Sequence, residues 1–235
     1  MRRAARPYCL AMSRLDERFS VVLALVGATY VTWSLLEYDG WTAVAIIAIA
    51  CATGVVGLFA SGARSAFLRL AVVLAITAVA LTVISAITDE DGWLSAASLL
   101  DMTLMLGAVL AILRRIVLTN RIGFEPILGA VSVYALLGIM FSFAYTAIHR
   151  IQDSPFFERV ADPDSSDFVF FSYTTLTTTG YGNLVPDGQP GEMIAGLEML
   201  VGQIFLVTLI ARLVALWNPG ERLRAARAAR SNAPR

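Results

Sequence analysis

The chain has 235 residues, 57% of them hydrophobic and only 15% charged, with a mean hydropathy of +0.71 and a formal net charge of zero. A soluble domain would be about half apolar and about a quarter charged, so a soluble fold is excluded, and no nucleic-acid partner is expected of a chain without net basic charge. The apolar residues fall in blocks of about 20, the length a helix needs to cross about 30 Å of hydrocarbon. The expectation is an all-α membrane protein with six transmembrane helices.

Residues 1–18 read as an N-terminal tail rich in arginine: Arg2, Arg3, Arg6, Arg14 and Arg18. The apolar stretch after it is too long for the core of a signal peptide, so it is taken as an uncleaved span. Spans at 19–38, 41–60, 66–88 and 93–113 form a four-helix membrane domain over 19–113. Asp39-Gly40, Ser61-Gly62 and Asp91-Gly92 punctuate the joints, and Tyr38, Trp41 and Trp93 stand at segment ends, where amphipathic rings favour the headgroup level. Cys9 and Cys51 fit no metal or redox spacing. Neither a catalytic pair nor a cofactor site is legible, so no enzyme activity is expected.

The fourth span carries no arginine until the adjacent pair Arg114-Arg115 at its end. Voltage sensing needs several charges spaced along the span so that they move through the field, and this helix lacks them. Asp101 lies near its middle. A carboxyl group in hydrocarbon is a functional candidate by default, here a sensor of pH. The structural alternative is a protonated carboxyl bonded to a hydroxyl. Arg69 is read as reaching back to the surface rather than pairing with it.

A linker at 114–123 leads into a second unit at 124–217, with long apolar segments at 124–149 and 192–217. Arginines flank alternate joints (Arg64 and Arg69, then Arg114, Arg115 and Arg121) and follow the last span, whereas the other joints carry Glu37, Asp39, Asp89, Glu90 and Asp91. This alternation predicts a multi-pass protein of the cell membrane with both termini cytoplasmic. A basic tail at 218–235 is suited to anionic lipids of the inner leaflet, and it is too short for a ligand-binding domain.

Residues 150–167 form an acidic turret with Asp153, Glu158, Asp162, Asp164 and Asp167. An amphipathic helix is predicted over 168–177, entering the membrane partway, followed by Thr178-Thr179-Gly180-Tyr181-Gly182. Glycines on both sides of a tyrosine permit backbone conformations that other residues avoid, so carbonyl oxygens can be aimed one way. Non-helical backbone at this depth must line a water-filled path or be buried in protein.

The segment resembles the potassium-channel signature T-x-G-Y-G, often preceded by Thr-Leu-Thr as it is at Thr175-Leu176-Thr177. The resemblance to bacterial potassium channels implies a pore helix at 168–177, a selectivity filter at 178–182, an outer helix at 124–149 and an inner helix at 192–217. It implies K+ coordination by the carbonyls of Thr178, Thr179, Gly180 and Tyr181 and the hydroxyl of Thr178. Phe171, Thr174, Asn183 and Glu198 would support the filter, and Gly202 would be either an inner-helix hinge or a close-packing glycine. The final helix, with Glu198, Gly202-Gln203 and Arg212, is similar to that of bacterial two-span pore modules. Each chain supplies one filter strand, so a homotetramer is implied. Two positions depart from the family pattern: Thr179 stands where valine or isoleucine is usual, and Asn183 where aspartate is common. Both bear on selectivity. Two rival readings are a weakly selective cation channel on the same scaffold and a non-conducting membrane scaffold or regulatory subunit.

Overall fold

The computed structural model describes residues 6–36, 40–88, 90–118, 124–152 and 154–216. These contain seven helices: α1 (Arg6–Leu35), α2 (Gly40–Ala60), α3 (Ser65–Thr88), α4 (Asp91–Leu118), α5 (Phe124–Ile151), α6 (Ser165–Leu176) and α7 (Gln189–Leu216). The all-α expectation holds. By length and composition five of them can cross a bilayer, namely α2, α3, α4, α5 and α7. The sixth expected span contains the shorter apolar stretch of α1, Phe19–Leu35, at the lower end of the ~17–25 residues that cross a bilayer; residues 37–38 of that span lie outside the described residues. The helix itself starts at Arg6, so part of the expected tail is helical, and α4 likewise runs on to Leu118 into the expected linker. The remainder of that linker, Trp217 and the basic tail at 218–235 lie outside the described residues.

Helices α1 to α4 pack in sequence, with α2 also against α4. Small residues allow the close approach: a Cβ on Gly54 would stand 2.8 Å from Leu104 Cγ, and one on Gly57 3.3 Å from Ala108 Cβ. Close backbone approach is how helices associate where lipid removes the hydrophobic drive. Both α1 and α4 lean on α5, so the four-helix unit sits against the first helix of the second unit of its own chain. Trp33 and Phe143, both fully buried, seal the α1–α5 seam with ring centroids 4.3 Å apart.

Two helices stand at opposite edges. Among the described residues the backbone of α3 approaches only α2 and α4, and that of α7 only α5 and α6. In each, 17% of the apolar window is buried, against 72% for α5. The exposed side chains of α7 include Met193, Leu197, Leu200, Ile204 and Val207, whose spacing of four and three places them on one helix face.

The two ends of the bundle differ in chemistry. At one end Arg115 Nη1 donates to the Ala60 carbonyl at 2.5 Å, and its guanidinium stands 5.6 Å from the Phe19 ring centroid. At the other end Ser165 Oγ donates to the Leu36 carbonyl at 3.0 Å, joining α1 to the start of α6.

Candidate functional site

Helix α6 has 12 residues, a length of about 18 Å, too short to cross a bilayer. It begins three residues earlier than the sequence predicts, because Asp167 closes its first turn. The Asp167 Oδ2 accepts the Asp164 N–H at 3.0 Å, satisfying one of the donors that a helix start leaves free. Partial burial holds the Asp167 carboxyl above the usual carboxylate range; the Asp164 N–H opposes that shift and the Asp164 charge adds to it.

Past Leu176 the chain leaves the helix and alternates. Thr178 has φ 56°, Gly180 φ 51° and Gly182 φ 77°, whereas Thr179 and Tyr181 between them are not in the left-handed region. Left-handed backbone is unexceptional for glycine but costs a β-branched threonine about 1–2 kcal/mol. Thr178 is the one non-glycine so placed among the described residues. The surroundings hold it there. Its N–H bonds the Thr175 carbonyl at 2.9 Å, and the Thr174 carbonyl accepts the Thr179 and Gly180 N–H groups at 2.8 and 3.2 Å. The Thr177 hydroxyl lies 2.7 Å from the Tyr173 carbonyl and 2.9 Å from the Thr179 hydroxyl. The hydroxyl that distinguishes Thr179 from valine is therefore bonded to its neighbour.

Residues 177–183 are all exposed in the single chain. Tyr181 turns back onto α6 and stacks on Phe170, with ring centroids 5.8 Å apart and planes 11° from parallel. Asn183 sits exposed just beyond.

Behind α6, three helices meet at one carboxyl group. Glu198 of α7 is fully buried; Tyr145 Oη of α5 donates to its Oε2 at 2.5 Å, and Ser172 Oγ of α6 lies 2.5 Å from its Oε1. Ser172 Oγ also lies 2.8 Å from the Gly138 carbonyl of α5. The Tyr173 hydroxyl donates to the Ala135 carbonyl at 2.7 Å, and its ring fills the space where a Cβ on Gly138 would be. Tyr30 of α1 meets the same ring edge-on at 5.1 Å. Phe171 is buried in an aromatic cluster with Tyr145, Phe156 and Phe157.

Gly202 faces the end of α6. A Cβ there would collide with the Leu176 carbonyl oxygen and stand 2.9 Å from Leu176 Cδ1. The same carbonyl accepts the Tyr134 hydroxyl at 3.0 Å. Helix α7 runs unbroken through this position.

Several of these residues were missed by sequence reasoning. Tyr145, Ser172, Tyr134 and Gly138 carried no local signal, because their partners lie between 26 and 53 residues away. Phe156 and Phe157 were hidden in a loop whose acidic residues and prolines suggest a purely hydrophilic turret. Both are buried, and the backbone of Phe156 and of Glu158 beside them holds the stretch after the glycines: Asp187 N–H bonds the Phe156 carbonyl at 2.8 Å and Glu158 N–H the Val185 carbonyl at 3.0 Å.

Asp101 is not part of this site. It lies buried in the four-helix unit, where its Oδ1 accepts from the Cys51 thiol at 3.5 Å. The expected partner was a hydroxyl; the structure supplies a thiol instead. Its Oδ2 has no hydrogen-bond partner among the described residues.

Residues 135–217 match a family model described as an ion channel. The match runs from within α5 through α6 to the end of α7, and so covers the α6–glycine assembly just described. The matched segment is an ion-channel domain rather than an enzyme domain, and with five helices long and apolar enough to cross a bilayer the chain is a multi-pass membrane protein. A search of the curated proteins found no match.

Proposed function

We propose that the chain is the subunit of a potassium channel, in which four copies of 178–182 surround the ion path. The observation that carries this reading is the left-handed backbone at every second residue, 178, 180 and 182. In an extended strand successive carbonyls point to opposite sides; alternating the hand of the backbone brings them to one side. A column of such oxygens replaces an ion's water shell, the principle of potassium filters. Thr178, Thr179, Gly180 and Tyr181 supply the carbonyls, and Thr178 adds its hydroxyl. Helix α6 directs its C-terminal end, with its partial negative charge, toward the cation.

One strand cannot enclose an ion. The strand is exposed, and so is the apolar face of α7 beside it, which suits closure by identical copies into a ring. In this arrangement Thr174, Phe171, Asn183 and Glu198 brace the filter, which faces the outer side of the cell membrane. The arginine-bearing end, with both termini, is cytoplasmic.

A weakly selective cation channel is the second reading, favoured by the Thr177–Thr179 hydroxyl bond, which family members with valine or isoleucine at that position lack. Purified protein in liposomes should pass K+ down its gradient, and Gly180→Ala, which forces a side chain into left-handed backbone, should reduce that flux to background. Reversal potentials in mixed K+ and Na+ solutions separate the two readings. No flux from folded tetramers would point instead to a scaffold.

A further inference from the structure

Helix α7 has no packing contact with any of α1 to α4 among the described residues. One side chain crosses the gap. Arg212 Nη2 donates to the Ile116 carbonyl of α4 at 2.5 Å and lies 3.4 Å from that of Val117. Ile116 and Val117 lie in the last described turn of α4, and a guanidinium set against helix carbonyls meets the negative ends of the peptide dipoles. The adjacent Arg115 ties the same turn to the Ala60 carbonyl of α2 and to Phe19 of α1. Two arginines in series thus link α7 to α4, and α4 to α1 and α2, at the end away from Gly180.

We propose that Arg212 is a gating clasp by which each four-helix unit holds the inner end of its own α7 away from the channel axis. The inference rests on the channel reading. Arg212 lies ten residues beyond Gly202, about 15 Å further along the helix, where a small tilt of α7 moves the side chain most. The clasp pulls toward α4, on the periphery, whereas the exposed face of α7 is the one left for neighbouring copies. Releasing it lets the inner ends converge and narrows the path. A long arginine at a membrane interface ordinarily reaches for water and headgroups; here it is turned onto helix carbonyls instead.

The test is single-channel recording of the full-length protein in bilayers. Arg212→Gln should lower the open probability by at least about tenfold, the weight of a hydrogen bond from a charged donor. Unitary conductance and the K+/Na+ reversal potential should stay as in the wild type, because the filter is untouched. Arg212→Lys, which keeps the charge but not the planar fork, should fall between the two. An open probability that is unchanged or raised in Arg212→Gln overturns the clasp. So does failure of both variants to form tetramers, which would make Arg212 a folding residue. Failure of the channel reading looks different: the wild type itself passes no current.

Discussion

Gly202→Ala should give a protein that assembles poorly and conducts little, although alanine is the better helix former by about 1 kcal/mol. The added methyl group has no room, since it runs into the Leu176 carbonyl at the end of α6. Backbone cannot rotate aside as a flexible side chain can, so α7 and α6 must separate. Overpacking of this kind costs about 1–3 kcal/mol per site, and the proposed ring of four chains would repeat it. The displaced carbonyl also accepts Tyr134 and ends the turn that leads into Thr178. Thermal unfolding of the detergent-purified protein, followed by liposome flux, measures both effects. The hinge reading predicts the opposite pattern: a tetramer of at least wild-type stability whose open probability alone has changed. That pattern would show that close packing is not what glycine is needed for at this position.

Glu198 is the second site where one atom group decides much. Glu198→Ala leaves the Tyr145 hydroxyl buried without its partner, a loss of about 1–3 kcal/mol, and opens a void between α5, α6 and α7. The purified protein should unfold at lower temperature and the 178–182 strand should lose rigidity, seen, on the potassium-channel reading, as reduced K+ flux. Glu198→Gln should stay close to wild type. Its amide oxygen can accept from Tyr145, and its N–H can donate to Ser172 Oγ, whose single proton then serves the Gly138 carbonyl. Equal damage from both substitutions would mean that the charge, rather than the bonding pattern, is required. An alanine variant as stable as wild type would remove the bracing role altogether.

Much of the architecture was legible because lipid makes it local. A span must satisfy its own backbone and present apolar residues throughout, so α2 to α5 and α7 announce themselves in blocks, and the Thr-Leu-Thr-Thr-Thr-Gly-Tyr-Gly string carries its own conformational instruction. What escaped was pairing at a distance. The depth of Glu198 could be read from its place in the last span, but not that Tyr145 and Ser172 would meet it from two other helices. Asp101 invited a search for a hydroxyl, and the partner was Cys51, 50 residues earlier. The first expected span starts where the apolar helix does, at Phe19, but that the helix itself reaches back through polar residues to Arg6 was not legible. Composition misled at Phe156-Phe157, where surrounding aspartates and prolines concealed a buried aromatic pair.

That pair changes what the loop before α6 is. Its ring cluster reaches Phe168, Phe171 and Tyr145, while its backbone grips Val185 and Asp187 on the far side of the glycines. The loop and the stretch leaving the ion path are therefore one mechanical piece. In the proposed channel, a pull on the exposed residues near Glu158 would therefore be felt at the glycines by leverage.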